Sequence, residues 1–348
     1  MFKAKRLFVL LLFSVVIVMI FACGKKNQAE DYGVSISAPK LVGTPAEAFS
    51  AEDINTLKLT NAFEFLLLNQ TDSLTSFSFS PISVVRYIFD VADSGYVASF
   101  KSRFSLQDTN SLFESISSIK DIIKSIDSTI DIESQEHILK DSTVVINQKF
   151  NFPLIYKDAL HTSYNTFNCP PINVKKKGKV VQKEQTKKLE FFTLVNNFSV
   201  YQNDKVLVCD IPIGSGNYSL MLVQAKQTDI LSFVKTFSEQ DFKNIIDKLE
   251  EKYLQVSFPN ISQKTTCSLS LPTLSFDTAY KMPSIVIHSK VRVKKPMEEE
   301  LKILSSQNQD QNMVQSSPQS YSFDKPFLFL IRGKSSNSII LSGVFCGF

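Results

Sequence analysis

The last 26 residues constrain this chain more than any other stretch. Phe323-Asp-Lys-Pro-Phe-Leu-Phe-Leu-Ile-Arg332 and Ile339-Ile-Leu-Ser-Gly-Val-Phe-Cys-Gly-Phe348 are apolar runs of strand composition. They flank Gly333-Lys-Ser-Ser-Asn-Ser338, a loop of turn formers. Continuous apolar runs bounded by turn signals predict strands buried on both faces, here joined as a β-hairpin within a β-core.

The N-terminus follows a different plan. Lys3, Lys5 and Arg6 precede the uncharged apolar stretch 7–21, which runs into Ile20-Phe21-Ala22-Cys23-Gly24. A basic start followed by a short apolar stretch is a targeting signal rather than part of the fold. Apolar-x-small-Cys at its end resembles the bacterial lipobox. That resemblance implies removal of the preceding peptide, acylation of Cys23, and a lipid-anchored, extracytoplasmic protein of the bacterial cell envelope. An uncleaved membrane helix is the other reading, but the stretch is short of the roughly 20 apolar residues a span needs. Residues 24–53 show no sustained periodicity and read as a flexible tether. The folded domain is expected over 54–348.

Apolar residues make up 43% of the chain, enough for a substantial core, and the net charge of +4 reads as weak and dispersed. It gives no footprint for nucleic acid. Cys169, Cys209, Cys267 and Cys346 are too widely spaced for a zinc motif. Sequence leaves their pairing open, and the apolar runs around Cys209 and Cys346 favour buried free thiols. No Gly-rich phosphate loop or H-E-x-x-H occurs, and His137, His161 and His288 have no nucleophile motif beside them. The sequence therefore asks for no catalytic residue, metal or cofactor, and the chain is not read as an enzyme.

Helical spacing of Leu57, Ala62, Phe65 and Leu66 predicts a helix over 53–68 capped by Asp53. Residues 77–80 read as a short strand stopped by Pro81, which opens a helix through residues 86–92. An amphipathic helix is expected over 109–127, a strand and turn over 137–150, a helix over 153–164 and an extended segment over 167–174. The run Lys175-Lys-Lys-Gly-Lys-Val-Val-Gln-Lys-Glu-Gln-Thr-Lys-Lys188 reads as a solvated basic connector. Strands follow over 191–200, 205–214 and 217–224. A helix capped by Ser238 runs to about 252, and further strands span 253–259 and 285–293.

The Phe-x-x-Pro-Phe-Leu-Phe-Leu-Ile-Arg strand closely resembles the C-terminal signature of the serpins. Ser80, Pro81 and Ser83 match the family's Asn-x-Phe-x-Ser-Pro-x-Ser segment, while Ser76 and Ser78 depart from its Asn and Phe. Leu254-Gln-Val-Ser-Phe-Pro259 resembles Val-x-Leu-Pro-Lys-Phe. The resemblance covers about residues 55–348, with shortened regions expected at 175–188 and before 285. It implies an α+β fold: a large mixed β-sheet, a smaller second sheet and peripheral helices, some elements deleted. It also implies that His288 lies beneath the main sheet, and that a strand beside the insertion slot and the helix guarding it are missing.

The polar loop 296–322 then corresponds to the serpin bait for a serine or cysteine protease. After cleavage, the segment before the cut enters the main sheet as a new strand. Counting back from Phe323 places the bait bond at Gln315-Ser316. Counting from that bond puts the hinge at Leu301 and Lys302, and counting from His288 puts it at Glu298 and Glu299. Either register sets a charge where the family uses a small buried residue, and burying an unpaired charge costs at least several kcal/mol. The expected function is a serpin-like endopeptidase inhibitor whose trapping is impaired or lost. The alternative is a non-inhibitory binding or structural surface lipoprotein on the same scaffold.

Overall fold

The computed structural model describes residues 49–69, 76–91, 94–104, 110–138, 143–155, 160–176, 179–270, 284–298 and 317–347. Helices α1 (Ala51–Asn69), α2 (Pro81–Val91), α3 (Ser94–Arg103) and α4 (Asn110–Ile126) lie in the first third. Two short helices, α5 (Ile230–Thr236) and α6 (Glu239–Ile246), lie further on. The strands are β1 (Phe77–Phe79), β2 (Asp131–Ile138), β3 (Val144–Pro153), β4 (Leu160–Lys176), β5 (Lys179–Gln202), β6 (Val206–Ile213) and β7 (Tyr218–Ala225). They continue as β8 (Glu250–Pro259), β9 (Ser262–Ser270), β10 (Ser284–Lys294), β11 (Gln319–Ser322), β12 (Phe327–Gly333) and β13 (Ile339–Phe345). Among the described residues these form two sheets. A nine-stranded sheet runs β1-β13-β12-β7-β6-β5-β8-β11 with β4 also on β5, and a four-stranded sheet runs β2-β3-β10-β9.

The C-terminal hairpin is where its composition puts it. Every residue of β12 and β13 is buried, and the pair sits between β1 and β7. Gly343 faces β1 so closely that a Cβ would come within 2.5 Å of the Phe77 carbonyl oxygen, so only glycine fits. The turn is held by Asn337, whose φ of 54° lies in the left-handed region that Asn tolerates. From α1, the Asn61 Nδ2 donates to the Asn337 carbonyl at 2.8 Å, and its Oδ1 accepts from the Ile339 N–H at 2.7 Å. Arg332, the last residue of the signature strand, is buried and pairs through Nη2 with Asp210 Oδ2 at 2.5 Å.

The first helix begins two residues earlier than expected. Ser50 is the cap, and the Asp53 carboxylate reaches back to accept from the Ser50 N–H at 3.0 Å, while the Asp53 N–H donates to Ser50 Oγ at 3.1 Å. This reciprocal arrangement satisfies two free amides of the first turn. Pro81 opens α2 as expected, and Ser238 caps α6 in a second capping box.

Three expectations fail. Residues 160–164 are strand rather than helix, and His161 is exposed on β4. Antiparallel pairing of residues 160–176 with 179–194 outweighs the local helix propensity of this segment. The basic run 175–188 is likewise not a solvated connector: its described residues are the end of β4 and the start of β5, paired antiparallel. The helix after Ser238 stops at Ile246 because Glu250, Glu251 and Lys252 pair with Val200, Ser199 and Phe198 of β5. All four described cysteines are buried free thiols. Burial pushes the Cys267 and Cys346 thiols up to about 12.

Candidate functional site

The four-stranded sheet is built from alternation. In β3, Val144, Ile146, Gln148, Phe150 and Phe152 are buried, while Val145, Asn147, Lys149 and Asn151 face outward. In β10, Ile285, Ile287, Ser289, Val291 and Val293 are buried. β10 pairs antiparallel with β9 and parallel with β3, over ten register positions from Ile285↔Val144 to Lys294↔Pro153. The β3–β10 contact is the one parallel pair in this sheet.

β10 ends at Lys294, and β11 begins 25 positions later at Gln319, adding parallel to β8 at an edge of the other sheet. A segment folding back from Lys294 would run antiparallel to both β3 and β10. It would replace one parallel ladder with two antiparallel ones, which pair slightly better per residue. The parallel β3–β10 pair is therefore a slot whose strand directions suit an added strand from the segment that follows β10.

Beneath that slot the core is polar. The Ser80 N–H, just before α2, donates to Gln148 Oε1 at 3.2 Å. Ser78 and Thr265 hydroxyls meet at 3.1 Å, and Gln263 Nε2 donates to the Phe77 carbonyl at 3.4 Å. Gln148 and Ser289 stand directly opposite one another across the parallel pair. Gln148 Nε2, Ser289 Oγ and Gln263 Oε1 are buried without a partner. Each such group costs about 1–3 kcal/mol, so the closed slot sits on an unfavourable polar seam. Replacing Ser289 by Ala removes one orphaned hydroxyl without leaving another. The variant should gain about 1 kcal/mol, read as a raised urea midpoint at unchanged slope. A lowered midpoint would show that this hydroxyl is bonded.

Several sequence-derived assignments need correction. The strand beside the slot is present, as β3. The shortening expected before 285 falls on residues 271–283, outside the described residues, whereas β2 and β3 are separated by residues 139–143 alone. Five residues cannot hold a helix long enough to lie across a sheet. His288 is not beneath the sheet but exposed on its outer face, with Nδ1 2.9 Å from Thr266 Oγ1. The strand's inward positions flanking it are Ile287 and Ser289. Lys149, on the same outer face, bridges Glu133 at 2.7 Å and Asp131 at 3.6 Å. Exposed pairs of this kind are screened by solvent and contribute little to stability.

Glu298 is exposed four residues past the end of β10. Glu299, Leu301, Lys302, Gln315, Ser316 and Cys23 lie outside the described residues. Gln148 and Ser289 were missed by sequence reasoning, although a signal existed. Gln148 is the polar interruption in an otherwise apolar alternate set, Val144, Ile146, Phe150, Phe152. Among the described residues, no three His, Cys, Asp or Glu side chains converge as a metal site.

The family model described as Serpin (serine protease inhibitor) matches residues 170–347, just over half of the chain. No curated protein matches it. Among solved structures, SRPN18 from Anopheles gambiae superposes with a TM-score of 0.60 at 10% identity, covering 85% of this chain and 99% of that one. Maspin gives 0.60 at 12% identity, with 84% and 99% covered. Mouse protein-Z dependent protease inhibitor gives 0.60 at 12% identity, with 86% and 100% covered. At these identities the structures report a shared fold.

Proposed function

This chain belongs to the serpin family, and from that premise we propose that it presents the segment between β10 and β11 to a serine or cysteine endopeptidase as bait but does not trap the enzyme. The expected loop 296–322 is shortened at its end, because residues 319–322 form β11. The single observation that carries this reading is the parallel β3–β10 pair with the loop departing from β10. That geometry supports a role for the loop as an incoming strand. The loop's own sequence argues against completing the step. Glu298, Glu299 and Glu300 are consecutive. Because strand side chains alternate between faces, any register of an inserted strand that includes them turns at least one carboxylate into the core. The inward surface there offers Gln148 and Ser289 and apolar side chains, with no buried cation on either strand. Lys302 meets the same obstacle in the other register.

The chemistry of such an encounter belongs to the protease. The chain would supply a cleavable bond, placed by the family count at Gln315-Ser316, and needs no catalytic group or cofactor of its own. The same reading anchors the protein in the bacterial envelope, outside the cytoplasm, through acyl chains on Cys23. Each buried CH2 of such chains contributes about 0.8 kcal/mol. The tether expected over 24–53 would then hold the domain off the membrane, less its last residues, since Phe49 is buried and α1 begins at Ala51.

Incubating the full chain with a panel of serine and cysteine proteases tests this directly. The expected outcome is cleavage between residues 304 and 318 with no SDS-stable complex. A stable complex would overturn the loss of trapping. Absence of any cleavage in the loop would overturn the bait role and leave a binding or structural scaffold.

A further inference from the structure

The hairpin of β4 and β5 extends well beyond the sheet it belongs to. Its base is pinned. Phe167 is buried and meets the Phe345 ring edge-on at 5.3 Å, the Asn168 N–H donates to the Asp324 carbonyl at 2.7 Å, and Lys187 Nζ donates to the Gly347 carbonyl at 3.1 Å. Pro170 and Pro171 then interrupt the ladder, and the register shifts between Cys169 and Ile172. Prolines, lacking an N–H, are tolerated at such a bulge. Past it, the described residues 172–176 and 179–183 pair only with each other. At about 3.4 Å per residue this free arm stands roughly 15–20 Å proud of the bulge.

The arm's composition is one-sided. Residues 170–184 hold five lysines and one glutamate, a net +4, which equals the formal net charge of the whole chain. The positive charge read from composition as dispersed is in effect concentrated here. Lys175, Lys176, Lys179 and Lys183 are exposed. The register pairs Ile172 with Lys183, Val174 with Val181 and Lys176 with Lys179, and cross-strand partners share a face. One face of the arm is therefore an aliphatic cluster of Ile172, Val174 and Val181 bordered by three lysines. Val180 lies on the other face and is 64% exposed, and Val181 is 44% exposed. Exposed β-branched side chains within a lysine cluster do nothing for the fold of an arm that has no core.

We infer that this arm is a docking element for an anionic phospholipid surface. Lysines near such a surface each contribute about a five-fold gain in partitioning, the equivalent of about 1 kcal/mol. The valines and Ile172 then have somewhere to go, the boundary between headgroups and acyl chains. The outer edges of the two strands carry unpaired backbone groups, which hydrocarbon does not tolerate, so the arm rests at the interface and does not cross it. Soluble polyanions account for the lysines and leave the aliphatic cluster without a role. Single-stranded nucleic acid is recognised by stacking on aromatic side chains, and residues 170–184 contain none. The inference does not depend on acylation at Cys23.

The chain has no tryptophan, so Val181→Trp in the full chain is a unique reporter at the arm. Its emission should shift to the blue with vesicles containing phosphatidylglycerol, and remain unshifted with phosphatidylcholine alone. In the same background, Lys175, Lys176, Lys179 and Lys183 changed together to Gln should weaken the vesicle titration by a factor on the order of several hundred. Both proteins carry the same N-terminal segment, so the difference between their titrations reads the arm. No shift on anionic vesicles overturns the inference. An equal shift with heparin in place of vesicles also overturns it, in favour of a soluble polyanion.

Discussion

Replacing Asp210 by Ala should destabilise the protein by about 3–5 kcal/mol, among the largest effects expected of substituting a buried polar residue. Asp210 on β6 and Arg332 on β12 are 2% and 4% exposed. Arg332 Nη2 and Nε donate to the two carboxylate oxygens at 2.5 and 3.3 Å, and Nη1 donates to Asn337 Oδ1 at 2.7 Å. The guanidinium therefore ties the middle of the large sheet to the turn of the C-terminal hairpin. Removing the carboxylate strands a buried cation, and that uncompensated charge, not the lost attraction, sets the magnitude. Two controls follow. Arg332→Ala should cost a similar amount. Asp210→Leu with Arg332→Met should recover most of the loss, because neither charge is then buried. Urea unfolding of the four proteins reads the result. If the double variant is as unstable as the singles, the ion pair is needed for more than charge balance.

The second large effect is a dependence on pH. Glu64 on α1 is fully buried, and the Ser342 hydroxyl of β13 donates to its Oε1. Its Oε2 has no partner. The other titratable group raised by its proximity is Cys267 of β9. Burial drives the Glu64 carboxyl up from its ordinary 4.5 to about 8, only partly offset by the Ser342 hydrogen bond. Between those values the folded protein keeps a proton that the unfolded chain has lost. Stability is thus at its full value below about pH 4.5, falls as the pH rises, and levels off above about 8. The slope contributed approaches about 1.4 kcal/mol per pH unit, or roughly 3 kcal/mol by pH 7. Glu64→Gln should remove this component, leaving the variant more stable than the parent at pH 8 and little changed at pH 5. Asp53 and Asp229, whose carboxyls are held low by hydrogen bonds, act in the opposite sense at acid pH and are common to both proteins. Equal pH profiles for parent and variant would mean that Glu64 is charged in the fold.

What the sequence disclosed follows from where cores impose periodicity. The buried C-terminal strands, the helix before them in the chain at residues 51–69, and the strand–Pro–helix unit at 77–91 all carry apolar residues at the spacing of their element. The arm of residues 170–184 could not be seen this way, since a ribbon exposed on both faces has no buried set to mark its period. Its lysines looked like a loop for that reason. The misplacement of His288 has a similar origin. A family count fixes a residue to within a position or two, and in a strand one position exchanges the buried face for the solvent face. The polar seam of Gln148 and Ser289 was legible only once β3 and β10 were known to be neighbours, because they lie 141 positions apart.

These points converge on the slot between β3 and β10, which in the function we propose is open to an incoming strand in its topology and closed to the segment after β10 by Glu298, Glu299 and Glu300. Nicking the full chain between residues 304 and 318 and comparing its thermal unfolding with that of the intact protein tests this most directly. The expected result is a midpoint no higher than that of the intact chain, since the freed segment stays outside the sheet. A large upward shift on nicking would mean that the loop enters between β3 and β10 despite its glutamates, and would contradict the account.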